Sequence, residues 1–204
     1  SAGLDRVTVS LDAVDSEIFR GISQRDNLSE VLKGLRAVAH SPGLKIDSVM
    51  MKGVNDCQLF PLLKLGGEVG AEVRFIEYMD VGGATEWESE KVLSQDEMLE
   101  RLKEQFGEVV PLDGRGSAPA QRFQLPHGQT FGVIASTTRP FCAGCDRVRV
   151  TADGQLLTCL YSRVGKDLRK LLRSELTDQE IVEQLRNHWS LRTDRGAEQR
   201  LQLE

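Results

Sequence analysis

The stretch RVTVSLD, residues 6–12, predicts a β-strand with one apolar and one polar face. Side chains of a strand alternate between its faces, and the two sets here are Val7, Val9 and Leu11 against Thr8, Ser10 and Asp12. The stretches KIDSVMM (45–51) and EVRFIEYMD (72–80) predict two further strands. Helix candidates separate the three strands, namely NLSEVLKGLRAVAHSPG (27–43) and CQLFPLLKLGGEVG (57–70).

This alternation of strands and helices predicts an α/β fold whose parallel strands are joined by right-handed crossovers. A flat doubly wound sheet and a barrel both fit the order. Polar residues on the alternate strand positions favour the barrel, because they would face a lumen used for binding; they are Thr8, Ser10, Asp12, Lys45 and Asp47. The alternative is an open sheet on which these residues face solvent. In a barrel, function gathers at the carboxyl ends of the strands.

The segment PLDGRGSAPAQ (111–121), rich in glycine and proline, predicts a boundary between a region 1–110 and a region 111–204. Short strands are predicted beyond it in RFQLP, TFGVIAST, RVRVTAD and QLLTCL, and an Asp-Gly turn joins the last two as a hairpin. Two helices close the chain, so the second region is expected to be α+β. Capping-box patterns predict helix starts at Asn27 with Glu30, Ser94 with Glu97, and Thr177 with Glu180.

Composition limits the classes of function. The 204 residues are 40% hydrophobic and 28% charged, which is ordinary for a globular chain that buries a core. A formal net charge of −5 gives no reason to expect nucleic acid or a membrane surface as a partner. No apolar run approaches the roughly 18 residues of a membrane span. Four cysteines are too sparse for a disulfide scaffold.

Three of those cysteines lie in FCAGCDRVRVTADGQLLTCL, residues 141–160. Cys142 and Cys145 form a CxxC pair, and Cys159 follows on the far arm of the predicted hairpin, which returns it toward the pair. This spacing predicts a thiolate metal site but leaves the metal open. Zinc would need a fourth ligand such as His127 or His188, whereas an iron–sulfur cluster on three thiolates would keep one iron free.

Two arginines follow the CxxC pair directly. Arg147 and Arg149 alternate on a predicted strand, so they are expected to point to the same side. Their planar guanidinium groups suit phosphate oxygens, and a structural zinc knuckle has no need of them. The further basic residues between 166 and 173 are interpreted as a solvated helix face.

The cysteine motif resembles the second-cluster motif of the GTP 3′,8-cyclases, radical S-adenosylmethionine enzymes of molybdenum-cofactor biosynthesis. The stretches GLDRVTVSLDAVDSEIFRGISQRD, KIDSVMMKGVND and VRFIEYMDVGG also resemble this family, in the same order. The resemblance implies an incomplete (βα)6 barrel of the TIM type, here its later strands, with an appended C-terminal region. It implies a lyase reaction in which a 5′-deoxyadenosyl radical takes the 3′ hydrogen of GTP and the ribose radical attacks C8 of guanine.

The resemblance also assigns roles to individual residues. Cys142, Cys145 and Cys159 would hold a [4Fe-4S] cluster whose open iron binds guanine. The implied GTP contacts are Lys45, Arg74, Arg147 and Arg149. Ser10 and Met79 would line S-adenosylmethionine. Strand alternation places Arg74 on the face opposite Glu77 and Met79. The family further implies a cytoplasmic protein and allows a homodimer.

Two departures from the family pattern concern the ends of the chain. The CxxxCxxC motif of the first cluster is absent from these 204 residues, and so is the family's Gly-Gly tail. We therefore expect a second [4Fe-4S] cluster on a missing N-terminal part, and no turnover by this truncated chain alone. Two alternatives remain at this point. One is a non-catalytic binding module stabilised by zinc or a cluster, and the other is an electron carrier.

Overall fold

The computed structural model describes residues 3–81, 87–114 and 116–200. Part of the glycine-rich stretch of VRFIEYMDVGG, residues 82 and 83, and the C-terminal residues 201–204 lie outside the described residues. The chain divides into two compact units, Ser1–Arg139 and Pro140–Glu204.

The first unit is an α/β domain built on a mixed six-stranded sheet. Its described strands are β1 Thr8–Ser10, β2 Lys45–Met50, β3 Glu72–Glu77, β4 Val110–Pro111, β5 Gln121–Gln124 and β6 Thr130–Ile134. Its described helices are α1 Ser16–Ser23, α2 Leu28–Ala37, α3 Leu59–Val69 and α4 Gln95–Phe106. The strand order is β1-β2-β3-β6-β5-β4; the first four strands are parallel, and β5 and β4 continue antiparallel.

The observed order confirms the α/β class and the three predicted parallel strands. The incomplete barrel stays a prediction. Helix α1 was not predicted; Asp15 caps it by accepting hydrogen bonds from the N–H groups of Glu17 and Ile18. The boundary predicted near residue 110 lies inside this unit, because β5 and β6 extend the same sheet. Glycine and proline in that segment mark a loop between strands of one sheet.

Alternation along the strands divides the sheet into a buried face and a polar face. In β2 and β3 every second residue is buried, including Ile46, Val73 and Phe75. Phe131 of β6 packs against Phe75 with ring centroids 6.2 Å apart. Helices α2, α3 and α4 contribute further large core residues, namely Leu35, Leu59, Leu62, Leu63, Met98 and Leu102. The intervening residues of β2 and β3 form a half-buried face that is mostly polar and includes Lys45, Asp47 and Arg74.

The capping-box predictions have mixed outcomes. The boxes of Ser94 with Glu97 and Thr177 with Glu180 are confirmed. The box at Asn27 is wrong, because its side chain makes no capping hydrogen bond. The backbone of Asn27, at φ −124° and ψ 28°, is not in the extended conformation from which an N-cap side chain reaches the first turn.

The second unit combines a small antiparallel sheet with three helices among its described residues. Its elements are β7 Arg149–Val150, β8 Gln155–Leu157, β9 Lys166–Asp167, α5 Leu168–Leu172, α6 Asp178–Ser190 and α7 Gly196–Arg200. The sheet order is β7-β8-β9. The predicted Asp-Gly hairpin is confirmed, with Gly154 at φ 86° in the turn between β7 and β8. Across both units, the described helices include none long and apolar enough to cross a membrane.

Candidate functional site

The three motif cysteines lie in the second unit, at the ends of its hairpin. Cys142 begins a short 3₁₀ turn, Cys142–Gly144, and Cys145 closes it by donating its backbone N–H to the Cys142 carbonyl at 3.2 Å. Cys159 lies two residues after β8. All three thiols are half-buried and none forms a disulfide, so each can act as a ligand.

Arg147 binds the sulfur of Cys145 directly. Its Nε and Nη2 lie 3.3 and 3.2 Å from Sγ, and its guanidinium stacks 5.0 Å from the ring centroid of Phe141. Burial alone would raise the pKa of the Cys145 thiol. The backbone N–H and guanidinium of Arg147, together with the charge of Arg192, outweigh burial and lower the pKa below its usual value. The thiolate, which is the form that binds metals, is therefore favoured.

Cys142, Cys145 and Cys159 are the candidate ligands of a cluster. Among residues 3–81, 87–114 and 116–200, no group of three or more histidine, cysteine or carboxylate side chains could hold one metal ion. A four-iron cluster binds each cysteine at a different iron. The donor chemistry of Cys142, Cys145 and Cys159, three accessible thiols with an arginine at one of them, fits such a cluster.

The two motif arginines occupy different local structures. Arg149 is the first residue of β7, opposite Leu157, whereas Arg147 precedes the strand. The prediction that strand alternation points both to the same side therefore does not apply to Arg147. His188 is a half-buried residue of α6, and His127 lies in the turn between β5 and β6.

The polar face of the first-unit sheet carries a row of functional candidates in register. Ser10 lies opposite Asp47, Asp47 opposite Arg74, and Arg74 opposite Gly132. Arg74 donates two hydrogen bonds to the Asp47 carboxylate, at 2.7 and 2.9 Å. A Cβ on Gly132 would come within 3.3 Å of Arg74 Cγ, so the glycine leaves room for this side chain. Arg74 is thus already paired within the sheet.

Lys45 and the cofactor candidates lie elsewhere on this unit. Lys45 opens β2 and lines a cavity of about 400 Å³ together with Glu72 and Arg122. Arg122 pairs with Glu72 at 2.8 Å. Ser10 is exposed, and Met79 is half-buried two residues after β3 ends.

Glu77 is the carboxylate that the sequence reasoning left without a role. It is fully buried at the end of β3, on the face opposite Arg74, as alternation predicts. Its Oε1 accepts hydrogen bonds from the Gln95 N–H at 2.7 Å and the Thr138 hydroxyl at 2.6 Å. Its Oε2 accepts from the Thr137 and Thr138 N–H groups at 2.9 and 2.7 Å. Glu77 therefore fixes the start of α4 and the loop after β6.

A second carboxylate, which is half-buried, lies two residues after β1. Asp12 accepts a hydrogen bond from the Val49 N–H at 2.7 Å. Burial raises the pKa of Asp12, and the Val49 N–H opposes part of that rise. The side-chain amide of Asn55 donates to the carbonyls of Asp12 and Val49, which ties the carboxyl ends of β1 and β2 together.

The chain combines an α/β sheet with a small unit that carries three thiols. Comparison with known proteins identifies the family to which the chain belongs. Residues 71–198, more than half of the chain, match the family model described as Molybdenum Cofactor Synthesis C. The chain therefore belongs to that family.

Comparison with individual named proteins gives a more specific similarity. It is 51% identical over 203 residues to GTP 3′,8-cyclase 1 of Mycobacterium tuberculosis, with 98% of this chain and 56% of the relative covered. It is 42% identical to the GTP 3′,8-cyclase of Synechococcus sp. WH7803 and 40% identical to that of Aquifex aeolicus, each covered over 61% of its length. The resemblance predicted from the motifs is confirmed, and the chain spans little more than half the length of these relatives.

Proposed function

We propose that the chain is part of a GTP 3′,8-cyclase, which joins C3′ of the GTP ribose to C8 of guanine in molybdenum-cofactor biosynthesis. The named relatives support the reaction class. In this proposal the first-unit sheet forms the later strands of an incomplete barrel, where Ser10 and Met79 line S-adenosylmethionine. That cofactor supplies, when bound, the radical that removes the 3′ hydrogen of GTP.

The second unit is proposed to hold the guanine end of the substrate. Cys142, Cys145 and Cys159 would hold a [4Fe-4S] cluster that supplies, when bound, one iron with an open coordination position. The observation that carries this proposal is the guanidinium of Arg147 at 3.2 Å from the sulfur of Cys145. It places a planar group of hydrogen-bond donors beside a metal ligand, where a nucleotide oxygen can share it.

The remaining arginine and lysine contacts are proposed one by one. Arg149 is the first residue of β7, and its guanidinium carries a second set of N–H donors that suit phosphate oxygens. Lys45 offers a point charge to a phosphate from its cavity. Arg74 is held by Asp47, so its contact with GTP would use a guanidinium whose orientation the sheet already fixes.

Calorimetric titration of GTP into the complete protein tests the arginine contacts. Arg147→Ala and Arg149→Ala should each weaken binding by roughly tenfold or more at matched iron content, because a charge-assisted hydrogen bond contributes about 1.5–3 kcal/mol. Arg147→Lys should not restore full affinity, since an ammonium lacks the planar fork. Arg163→Ala, an exposed arginine of the same unit, is the matched control. Unchanged affinity in both arginine variants would contradict this placement of the substrate.

Catalysis by these 204 residues alone is a separate question. They contain no CxxxCxxC motif for the first cluster, so we expect no turnover of GTP or S-adenosylmethionine under reducing conditions. The measurement is release of 5′-deoxyadenosine. Release above a no-protein control would show that this expectation is wrong.

A further inference from the structure

The segment that follows α6, residues 192–196, lies against the cysteines of the second unit. We propose that Arg192 is a positioning residue for the cluster, which joins the Cys142 turn to the strand end at Cys159 through Asp194 and Thr158. We name Arg192, Asp194 and Thr158 the clasp. This inference rests on the proposed cluster and goes beyond it, because it assigns a role to residues outside the cysteine motif.

The clasp is a continuous chain of polar contacts. Nη2 of Arg192 donates to the Cys142 carbonyl at 3.4 Å. Nε of Arg192 lies 3.5 Å from Oδ2 of Asp194. Oδ1 of Asp194 accepts a hydrogen bond from the Thr158 hydroxyl at 2.7 Å. Thr158 directly precedes Cys159. This series of contacts therefore links two proposed ligands, Cys142 and Cys159, that are distant in sequence.

Burial makes the clasp more than a surface contact. The side chain of Arg192 is only 12% exposed, and Thr158 is 8% exposed. Trp189 covers the guanidinium, whose central carbon lies 4.6 Å from the ring centroid. A charge withdrawn from water in this way is costly unless it is paired and hydrogen-bonded. The clasp therefore has a structural reason to hold a single arrangement.

One hydrogen-bond donor of the clasp lacks an acceptor among the described residues. Nη1 of Arg192 is buried and has no hydrogen-bond partner among the described residues; Oδ2 of Asp194 pairs with Arg192 by charge but likewise makes no hydrogen bond there. Buried donors are normally satisfied, so this one calls for an acceptor. The sulfur atoms of an anionic cluster accept hydrogen bonds, and such bonds help to set its reduction potential. A guanidinium beside the Cys142 turn supplies both the donor and the positive charge.

Gly196 shows how closely the same segment approaches the third ligand. A Cβ at this position would lie 2.9 Å from Sγ of Cys159 and 2.5 Å from Cβ of Tyr161. Only a residue without a side chain permits that approach. The segment therefore contacts the backbone of Cys142 through Arg192 and the thiol of Cys159 through Gly196.

The test uses the full chain, reconstituted anaerobically with iron and sulfide, and compares variants of the clasp with a control. Arg192→Gln should release iron to a chelator about tenfold faster than wild type, as losses of outer-shell partners typically do. It should also make the reduction potential more negative, because a positive charge and a donor near the cluster are lost. Arg195→Gln removes an equal charge three residues away, where Arg195 pairs only with Glu198 in the described contacts, and should leave both quantities unchanged.

A second pair of variants keeps the test decisive if Arg192→Gln does not fold. Thr158→Val removes the hydroxyl that binds Asp194 and should speed iron release, whereas Thr158→Ser keeps the hydroxyl and should restore the wild-type rate. A wild-type chain that takes up no cluster would overturn both the proposed function and the clasp. A loaded wild type with clasp variants that match Arg195→Gln in both readouts would overturn the clasp alone.

Discussion

The two units bury apolar side chains to very different extents. In the first unit a continuous core runs from Leu11 to Val133 and joins the sheet to its helices. In the second unit, the buried hydrophobic residues within 140–200 are Leu171 and Ile181. A unit of this size with so small a core usually needs a disulfide or a metal to hold it. The cluster proposed on Cys142, Cys145 and Cys159 would therefore also stabilise the fold of the second unit.

The charged side chains of the two units also differ in the partners that they contact. In the first unit they are partnered across strands, as Asp47 is with Arg74 and Glu72 with Arg122. In the second unit Arg147 and Arg192 are directed at a thiol and at the carbonyl of a cysteine. These ion pairs of the first unit link neighbouring strands of its sheet, whereas Arg147 and Arg192 of the second unit contact the cysteine motif.

The largest expected effect is a response of the second unit alone to cluster loading. A ligand that binds only the folded unit stabilises it, so loading should slow amide hydrogen exchange in 140–200 by about tenfold or more. Exchange in the core strands of the first unit should not change. Cys142→Ala should abolish the response, and Cys57→Ala, an exposed cysteine of the first unit, should keep it. Equal slowing in both units would break the contrast between them.

The next effect concerns the first unit alone. Glu77→Ala leaves two buried and two partly buried hydrogen bonds without their acceptor, so the free energy of unfolding should fall by about 3 kcal/mol or more. Urea denaturation, followed through the unfolding transition of the first unit, measures the change in this free energy. Glu104→Ala, an exposed glutamate of α4, is the control and should change stability little. A loss no larger than that of the control would mean that water or other groups replace the carboxylate.

The smallest effects compare the same capping motif in the two units. Ser94→Ala in α4 and Thr177→Ala in α6 should each destabilise their helix by about 1 kcal/mol. Thermal unfolding monitored by hydrogen exchange would assign each loss of stability to its unit. If Thr177→Ala also increased exchange across the first unit, the two would not be independent in stability.

Acid should affect the two capping boxes unequally. Burial raises the pKa of Glu97, but hydrogen bonds from Lys52 and Ser94 outweigh it and lower the pKa to about 2. The N–H and hydroxyl of Thr177 lower the pKa of Glu180 with no such lysine. A depressed carboxyl pKa stabilises the fold above the unfolded value, and this stability is lost as pH falls through the folded pKa. Glu97→Gln should therefore flatten the loss of first-unit stability between about pH 4.5 and 2, and an unchanged acid transition would contradict it.

The sequence predicts local structure well where one periodicity dominates. The alternation in RVTVSLD, KIDSVMM and EVRFIEYMD corresponds to β1, β2 and β3, and it places Arg74 opposite Glu77. It fails at Asn27, where the composition of a capping box is present but the backbone dihedrals are not. It also cannot show that residues 121–134 join the first sheet, because strand pairing across a long loop leaves no local pattern.

The site is predictable only where its residues are close in sequence. The spacing of Cys142, Cys145 and Cys159 indicates a thiolate site from the sequence alone. Arg192 lies fifty residues beyond Cys142 and belongs to no motif, so only the fold brings its guanidinium to that turn. Glu77 is similar, since its partners come from α4 and from the loop after β6.

The most direct test of the account is the amount of iron and acid-labile sulfide bound per chain after anaerobic reconstitution. We predict about four of each, held by Cys142, Cys145 and Cys159, with most of the iron lost when any one of the three is replaced by alanine. One zinc ion per chain with neither iron nor sulfide, or full iron retention in all three alanine variants, would contradict the cluster assignment.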